Sequence, residues 1–118
     1  MEANAAQKTI DAYFAAFKAR DADAFVACFA EDGAVEEPIG QPPKRGQAAI
    51  RAFITQMMGR FEAVELVPER TVINLPSAAI VWTGQVVTKD GRTFPTQGIE
   101  VLDFTEEGKI ALRRAFVG

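Results

Sequence analysis

The sequence contains no histidine. That absence removes imidazole general bases, serine–histidine triads and His-ligated metal sites together. Cysteine occurs once, at Cys28, so neither a disulfide framework nor a thiolate zinc site can form. Cys28 reads as a small buried hydrophobe. No apolar run approaches the roughly 20 residues that a membrane span needs. No basic run stands out either, and the net charge is −3, which argues against a nucleic-acid partner. The N-terminus, Met1-Glu-Ala-Asn-Ala-Ala-Gln-Lys8, lacks the basic start and apolar core of a secretion signal, so a cytoplasmic location is expected. Acid–base chemistry in this chain must use Asp, Glu, Tyr or Lys.

What is present is apolar. The 118 residues suit one domain, 1–118, and hydrophobic residues make up 48% of them. Nine phenylalanines stand against one tryptophan and one tyrosine. That bias suits a dry interior or an apolar ligand pocket. Wet protein-binding surfaces favour Tyr and Trp instead.

The first part of the chain reads as helix. Ile10, Tyr13, Phe14 and Phe17 recur at spacings of three and four. Asp21 or Asp23 can cap a second helix carrying Phe25, Val26, Cys28 and Phe29, closed by Glu31-Asp-Gly33. Ala34 to Glu37 is a short extended piece, since Pro38 favours an extended residue before it. Gly40, Pro42, Pro43 and Gly46 form a turn. A third helix runs from Gln47 to Met58, and Gly59 stops it. Strands follow at Phe61 to Leu75 (broken by Pro68), Ser77 to Lys89, Arg92 to Phe104 and Lys109 to Val117. Asp90-Gly91 is a hairpin signal. Helices and strands are segregated, so the expected class is α+β. The expected architecture is a curved antiparallel sheet packed by three N-terminal helices, leaving a conical cavity.

Three polar residues stand out. Glu37 lies between an apolar run and a rigid turn. Glu100 interrupts an apolar strand. Strand parity puts Gly98, Glu100, Leu102 and Phe104 on one face, with Ile99, Val101 and Asp103 on the other. Gly98 leaves space beside Glu100. Tyr13 is the sole phenol. Each also has a plainer reading. Glu37 could be a polar turn residue, and Tyr13 a core aromatic with its hydroxyl at the surface. Glu100 could pair with Arg113 or Arg114 on the last strand. Glu36 is expected to face solvent, and Lys44-Arg45 to be a solvated turn.

The segment Phe29-Ala-Glu-Asp-Gly-Ala-Val-Glu-Glu-Pro-Ile-Gly-Gln-Pro-Pro-Lys-Arg-Gly46, with Ile99-Glu-Val-Leu-Asp-Phe-Thr-Glu-Glu-Gly-Lys-Ile110, resembles the bacterial ketosteroid isomerases. They lie within the SnoaL-like group, which has the nuclear-transport-factor cone fold. The resemblance implies Glu37 as general base, where those enzymes carry Asp. It implies Tyr13 as an oxyanion donor on the first helix. Glu100 falls where they carry a protonated Asp that donates to the same oxyanion. Phe29 and Ile54 stand where supporting tyrosines occur. The implied pocket is lined by Phe14, Phe17, Phe29, Phe53, Ile54, Met57, Trp82, Leu102 and Phe116. The implied reaction is proton transfer within an apolar ketone, in its specific form 3-oxo-Δ5 to Δ4 steroid isomerisation. Rival readings are a SnoaL-like polyketide cyclase, a non-catalytic module binding an apolar ligand and, less favoured, an epoxide hydrolase, which needs an Asp–Arg–Asp arrangement that the sequence does not place. The expected partner is a steroid or polyketide-like ketone, with no metal or organic cofactor. The apolar face bearing Val81, Val87, Ile99, Val101 and Val117 implies a homodimer.

Overall fold

The computed structural model describes residues 1–118. Helix α1, Ala3–Ala19, buries Ile10, Tyr13, Phe14 and Phe17, the stripe its spacing predicts. It ends at Arg20, whose φ of 56° turns the chain. The Arg20 guanidinium donates to the carbonyls of Met58 (2.6 Å) and Phe61 (3.3 Å), tying two chain turns together. Helix α2, Ala22–Ala27, is capped by Asp21, which accepts from the Ala24 amide at 3.0 Å.

The second helix is shorter than the sequence predicts. Cys28 caps it, and strand β1, Phe29–Glu36, begins at once. Long-range pairing overrides the local helical pattern here: the Ile110 amide donates to the Cys28 carbonyl at 2.9 Å, and Phe29 pairs with Ile110. Gly33 lies inside this strand rather than ending a helix. A Cβ there would come within 2.9 Å of the Ile110 carbonyl oxygen. Strand β2 is Lys44–Arg45, and helix α3 is Gln47–Arg60. Gly59 does not stop α3, which runs one residue further to Arg60, and Arg20 satisfies the Met58 carbonyl left unpaired in the last turn.

Four long strands follow: β3 (Ala63–Asn74), β4 (Ser77–Val87), β5 (Thr93–Phe104) and β6 (Ile110–Val117). Pro68 does not break β3. The strand lies at the sheet edge and shifts register between Pro68 and Arg70, which accommodates the missing amide. The sheet order is β2-β1-β6-β5-β4-β3. Contrary to the antiparallel expectation the sheet is mixed, because β1 runs parallel to β6. The helices cover one face, where Tyr13, Phe25, Phe29, Ile50, Ile80 and Leu102 are buried in one core. The other face leaves Val81, Ile99 and Phe116 exposed, whereas Val117, expected there, pairs with Gly98 and shares the inner side of β6 with Arg113 and Ala115.

Candidate active site

Two adjacent arginines on β6 point to opposite faces of the sheet. Parallel pairing sets Val35 beside Arg113 and Glu36 beside Arg114. Arg114 lies 3.4 Å from Glu36, so Glu36 is ion-paired rather than simply solvated. Arg113 is buried on the helix side, with 2% of its side chain exposed. There it meets every acid–base residue the sequence singles out.

Arg113 Nη1 donates to Glu37 Oε1 at 2.8 Å. Its Nη2 donates to Glu100 Oε1 at 2.7 Å, and Nε lies 3.1 Å from the same oxygen. Nε also donates to the Tyr13 hydroxyl at 2.5 Å. That hydroxyl in turn donates to Glu100 Oε1 at 2.6 Å. The guanidinium is 5.4 Å from the centre of the Phe53 ring and 5.9 Å from that of Tyr13. Aromatic faces at such distances favour a cation. Of the two pairings considered for Glu100, the structure contains the one with Arg113.

Each residue has a structural reason for its place. Glu37 follows β1 directly, and its carbonyl accepts from Lys44 Nζ at 2.7 Å, which fixes the turn. Its side chain is 22% exposed, and Oε2 makes no hydrogen bond. Glu100 sits on the inner face of β5, opposite Ile80 and Ala115, and is fully buried. Tyr13 is wedged among Phe14, Phe17 and Phe25, with ring centroids 5.2–5.5 Å apart.

Burial pushes the Glu100 carboxyl above the usual range, although the Arg113 charge and the Tyr13 hydrogen bond pull it back. Burial likewise raises the Tyr13 phenol well above its ordinary value. For Arg113, burial opposes the charge, but Tyr13, Glu100 and Glu37 outweigh it. Arg113 is therefore a fixed cation, and Tyr13 keeps its proton at neutral pH.

A cavity of about 230 Å³ opens beside this cluster. Glu37, Glu100 and Arg113 form the polar wall nearest the cluster, and Arg60 and Thr96 also line the cavity. Phe17 from α1, Met57 from α3, and Trp82 from β4 contribute apolar surface. A larger hollow of about 520 Å³ lies elsewhere on the sheet, but its one charged residue, Glu65, has no ionic partner.

The expected pocket residues divide. Phe17, Met57 and Trp82 line the cavity. Phe14, Phe29, Ile54 and Leu102 do not: they pack into the core behind it. Phe53 lies against Arg113 and Lys44 instead. Phe116 belongs to the outer face, where strand parity sets it beside Ile99. Tyr13 is also absent from the cavity wall. Its hydroxyl is engaged behind the wall, by Arg113 and Glu100.

Sequence reasoning missed Arg113 as a site residue. The available signal was parity, since Arg113 and Ala115 share the inward side of β6 while Leu102 and Glu100 face them across the ladder. No three His, Cys, Asp or Glu side chains converge to hold a metal ion. Chemically, the cluster offers a carboxylate with one unengaged oxygen, a buried cation and a buried acid, all beside an apolar cavity.

The profile of the SnoaL-like domain matches residues 10–113. The chain belongs to the SnoaL-like domain family. A steroid Δ-isomerase from Nocardioides simplex is 31% identical over 94 residues, covering 79% of this chain and 73% of that protein. Among solved structures, the epoxide hydrolase/cyclase-like enzyme SalBIII, of pyran ring formation in the polyether salinomycin, is 24% identical with a TM-score of 0.85. That match covers 96% of this chain and 90% of SalBIII. A Mycobacterium tuberculosis protein solved with estradiol-17beta-hemisuccinate is 19% identical with a TM-score of 0.83, covering 95% and 92% of the two chains. At these identities the two structures establish the shared cone fold.

Proposed function

We propose that this SnoaL-like protein is an enzyme that moves a proton within an apolar ketone, as in 3-oxo-Δ5 to Δ4 steroid isomerisation. One observation carries the reading. Glu37 faces an apolar cavity with one carboxylate oxygen held by Arg113 and the other unengaged. A base held this way is oriented yet able to accept a proton. The steroid Δ-isomerase relative favours this substrate class.

The step balances as follows. Glu37 Oε2 takes the proton from the carbon between the ketone and the alkene. The C–H electron pair becomes the new C=C bond of a dienolate, and the carbonyl π pair moves to oxygen. Glu37 then returns the proton to the far alkene carbon, and the carbonyl re-forms. The charge on oxygen lies beside Arg113 and Glu100, where a low-dielectric wall strengthens their stabilisation. Tyr13 supports that wall from behind. The reacting ring occupies the cavity, and the rest of a large substrate extends toward Phe94 and Val117.

A second reading rests on Arg113 bridging two carboxylates, at 2.8 Å from Glu37 and 2.7 Å from Glu100. That acid–Arg–acid set could open an epoxide, with Glu37 activating water or an internal hydroxyl and Glu100 protonating the oxirane oxygen. A panel containing a 3-oxo-Δ5 steroid, an apolar epoxide and a hydroxy-epoxide separates the two. Conjugated ketone as the only product supports isomerisation. Diol or cyclic ether without ketone conjugation overturns it in favour of epoxide opening. In either case the exposed apolar face is read as the seat of a homodimer.

A further inference from the structure

Two buried polar side-chain atoms in the molecule have no hydrogen-bond partner: Trp82 Nε1 and Glu100 Oε2. Buried polar groups are nearly always paired, so each such atom calls for an explanation. Both belong to residues lining the same cavity. They are also close in the sheet. The β4–β5 register sets Trp82 opposite Gly98 and Ile80 opposite Glu100, so Trp82 and Glu100 are diagonal neighbours on the inner face. Side chains on such a diagonal are within reach of one another.

Gly98 fixes how the indole lies. A Cβ at this position would fall 2.4 Å from Trp82 Cζ2 and 2.8 Å from Cε2, the carbon bonded to Nε1. The N–H edge of the indole therefore rests over β5, the strand that carries Glu100. The space beside Glu100 that Gly98 provides is filled by this ring. Any side chain there would displace it.

The two oxygens of Glu100 are treated unequally. Oε1 receives the Tyr13 hydroxyl and both Arg113 Nε and Nη2, whereas Oε2 receives nothing. This asymmetry matches a carboxylic acid whose carbonyl oxygen is Oε1 and whose hydroxyl is Oε2. Burial pushes Glu100 toward this acid form, against the pull of the Arg113 charge and the Tyr13 hydrogen bond. Trp82 Nε1–H is a donor that lacks an acceptor, and in the acid form Glu100 Oε2–H is a second.

We infer that Trp82 is a catalytic oxyanion donor, and that Trp82 Nε1 and Glu100 Oε2 together hold the carbonyl oxygen of the substrate. The inference rests on the ketone reading above and names the groups that receive the charge. It also gives a reason for the position of Tyr13: the phenol orders Glu100, and the indole supplies the second donor. Neither unpaired atom is open to bulk water, so the oxygen enters with a small rotation of the indole or the carboxyl.

Trp82 is the sole tryptophan, so the ¹⁵N-labelled protein gives one indole N–H signal. That signal is followed while adding 2-naphthol, whose oxygen imitates an enolate, or 2-methylnaphthalene, which has no oxygen. Calorimetry measures both affinities in wild type and Trp82→Phe. The inference expects a downfield shift of the indole proton with 2-naphthol alone. It also expects Trp82→Phe to weaken 2-naphthol roughly tenfold while 2-methylnaphthalene binds as before. An indole signal that responds alike to both ligands, equal losses for both in Trp82→Phe, or no 2-naphthol binding would overturn it. With a ketone that turns over, Trp82→Phe should lower kcat roughly 100-fold with little change in KM. Unchanged kcat in an enzyme that Glu37→Gln inactivates refutes the role of Trp82 alone. A wild type inert on ketones refutes the ketone reading, and the indole signal still decides whether Trp82 binds an oxygen.

Discussion

Replacing Arg113 with methionine removes the guanidinium but keeps an unbranched apolar chain. Arg113 is 2% exposed and bonds Tyr13, Glu37 and Glu100. Glu37 reaches solvent and can hydrate. Glu100 is fully buried and cannot. Wherever Glu100 is ionised, breaking the buried pair from one side leaves an uncompensated charge and costs roughly 3–5 kcal/mol; where it is the neutral acid, the cost is smaller. For a domain of this size that is a fall in melting temperature of roughly 10–20 °C. The loss depends on pH. Glu100 is already raised by burial, and Arg113 is a main influence holding it down; Glu37 also pushes it up, and the Tyr13 hydrogen bond lowers it. Without Arg113 its folded value rises further. Between the unfolded and folded values, the native state holds a proton that the unfolded chain releases, so stability falls as pH rises. The Arg113→Met deficit should therefore be larger at pH 8 than at pH 5. Urea unfolding at both pH values measures it. Adding Glu100→Leu should recover most of the loss, since an apolar pair replaces the ionic one. A deficit equal at both pH values, or no recovery in the double variant, would refute the reasoning.

Gly98→Ala should cost roughly 1–3 kcal/mol, because its Cβ would lie 2.4 Å from Trp82 Cζ2 and 2.5 Å from the Phe116 carbonyl oxygen. Thermal melting reads the loss, and tryptophan emission should change as the indole moves. Tyr13→Phe should lower kcat while KM changes little, since the phenol orders Glu100 without lining the cavity; a rise in KM alone would place Tyr13 at the substrate. Ile99→Glu should convert a dimer to monomer in sedimentation velocity, because Ile99, Val81 and Phe116 leave 42–43% of their surfaces exposed on one face. A wild-type monomer at micromolar concentration would remove that interface.

The sequence read well wherever side-chain period alone decided the outcome. The α1 stripe of Ile10, Tyr13, Phe14 and Phe17 is buried as spaced. The inward side of β5 is occupied by Glu100, Leu102 and Phe104. Readings failed where a distant strand decided. Phe29 left the second helix because Ile110 offered a ladder, and β1 became parallel to β6 for the same reason. At Pro68 the local signal points to an edge strand rather than a break, since proline has no amide to give a second neighbour, and β3 does lie at the edge. Large apolar residues look alike in sequence, so the expected pocket exceeds the observed one: Phe17 lines the cavity, whereas Phe14 is core. Arg113 escaped because its role depends on three partners far apart in the chain. Trp82 is an expected pocket residue, but its unpaired N–H is visible only in three dimensions.

The most direct test of the account is turnover of a 3-oxo-Δ5 steroid by wild type and Glu37→Gln, followed by absorbance of the conjugated ketone. The account expects wild-type turnover and a loss of roughly 1,000-fold or more in kcat for Glu37→Gln, with the melting temperature little changed. Turnover by Glu37→Gln at the wild-type rate, or a wild type that forms no conjugated ketone, would contradict Glu37 as the base of a ketone isomerase.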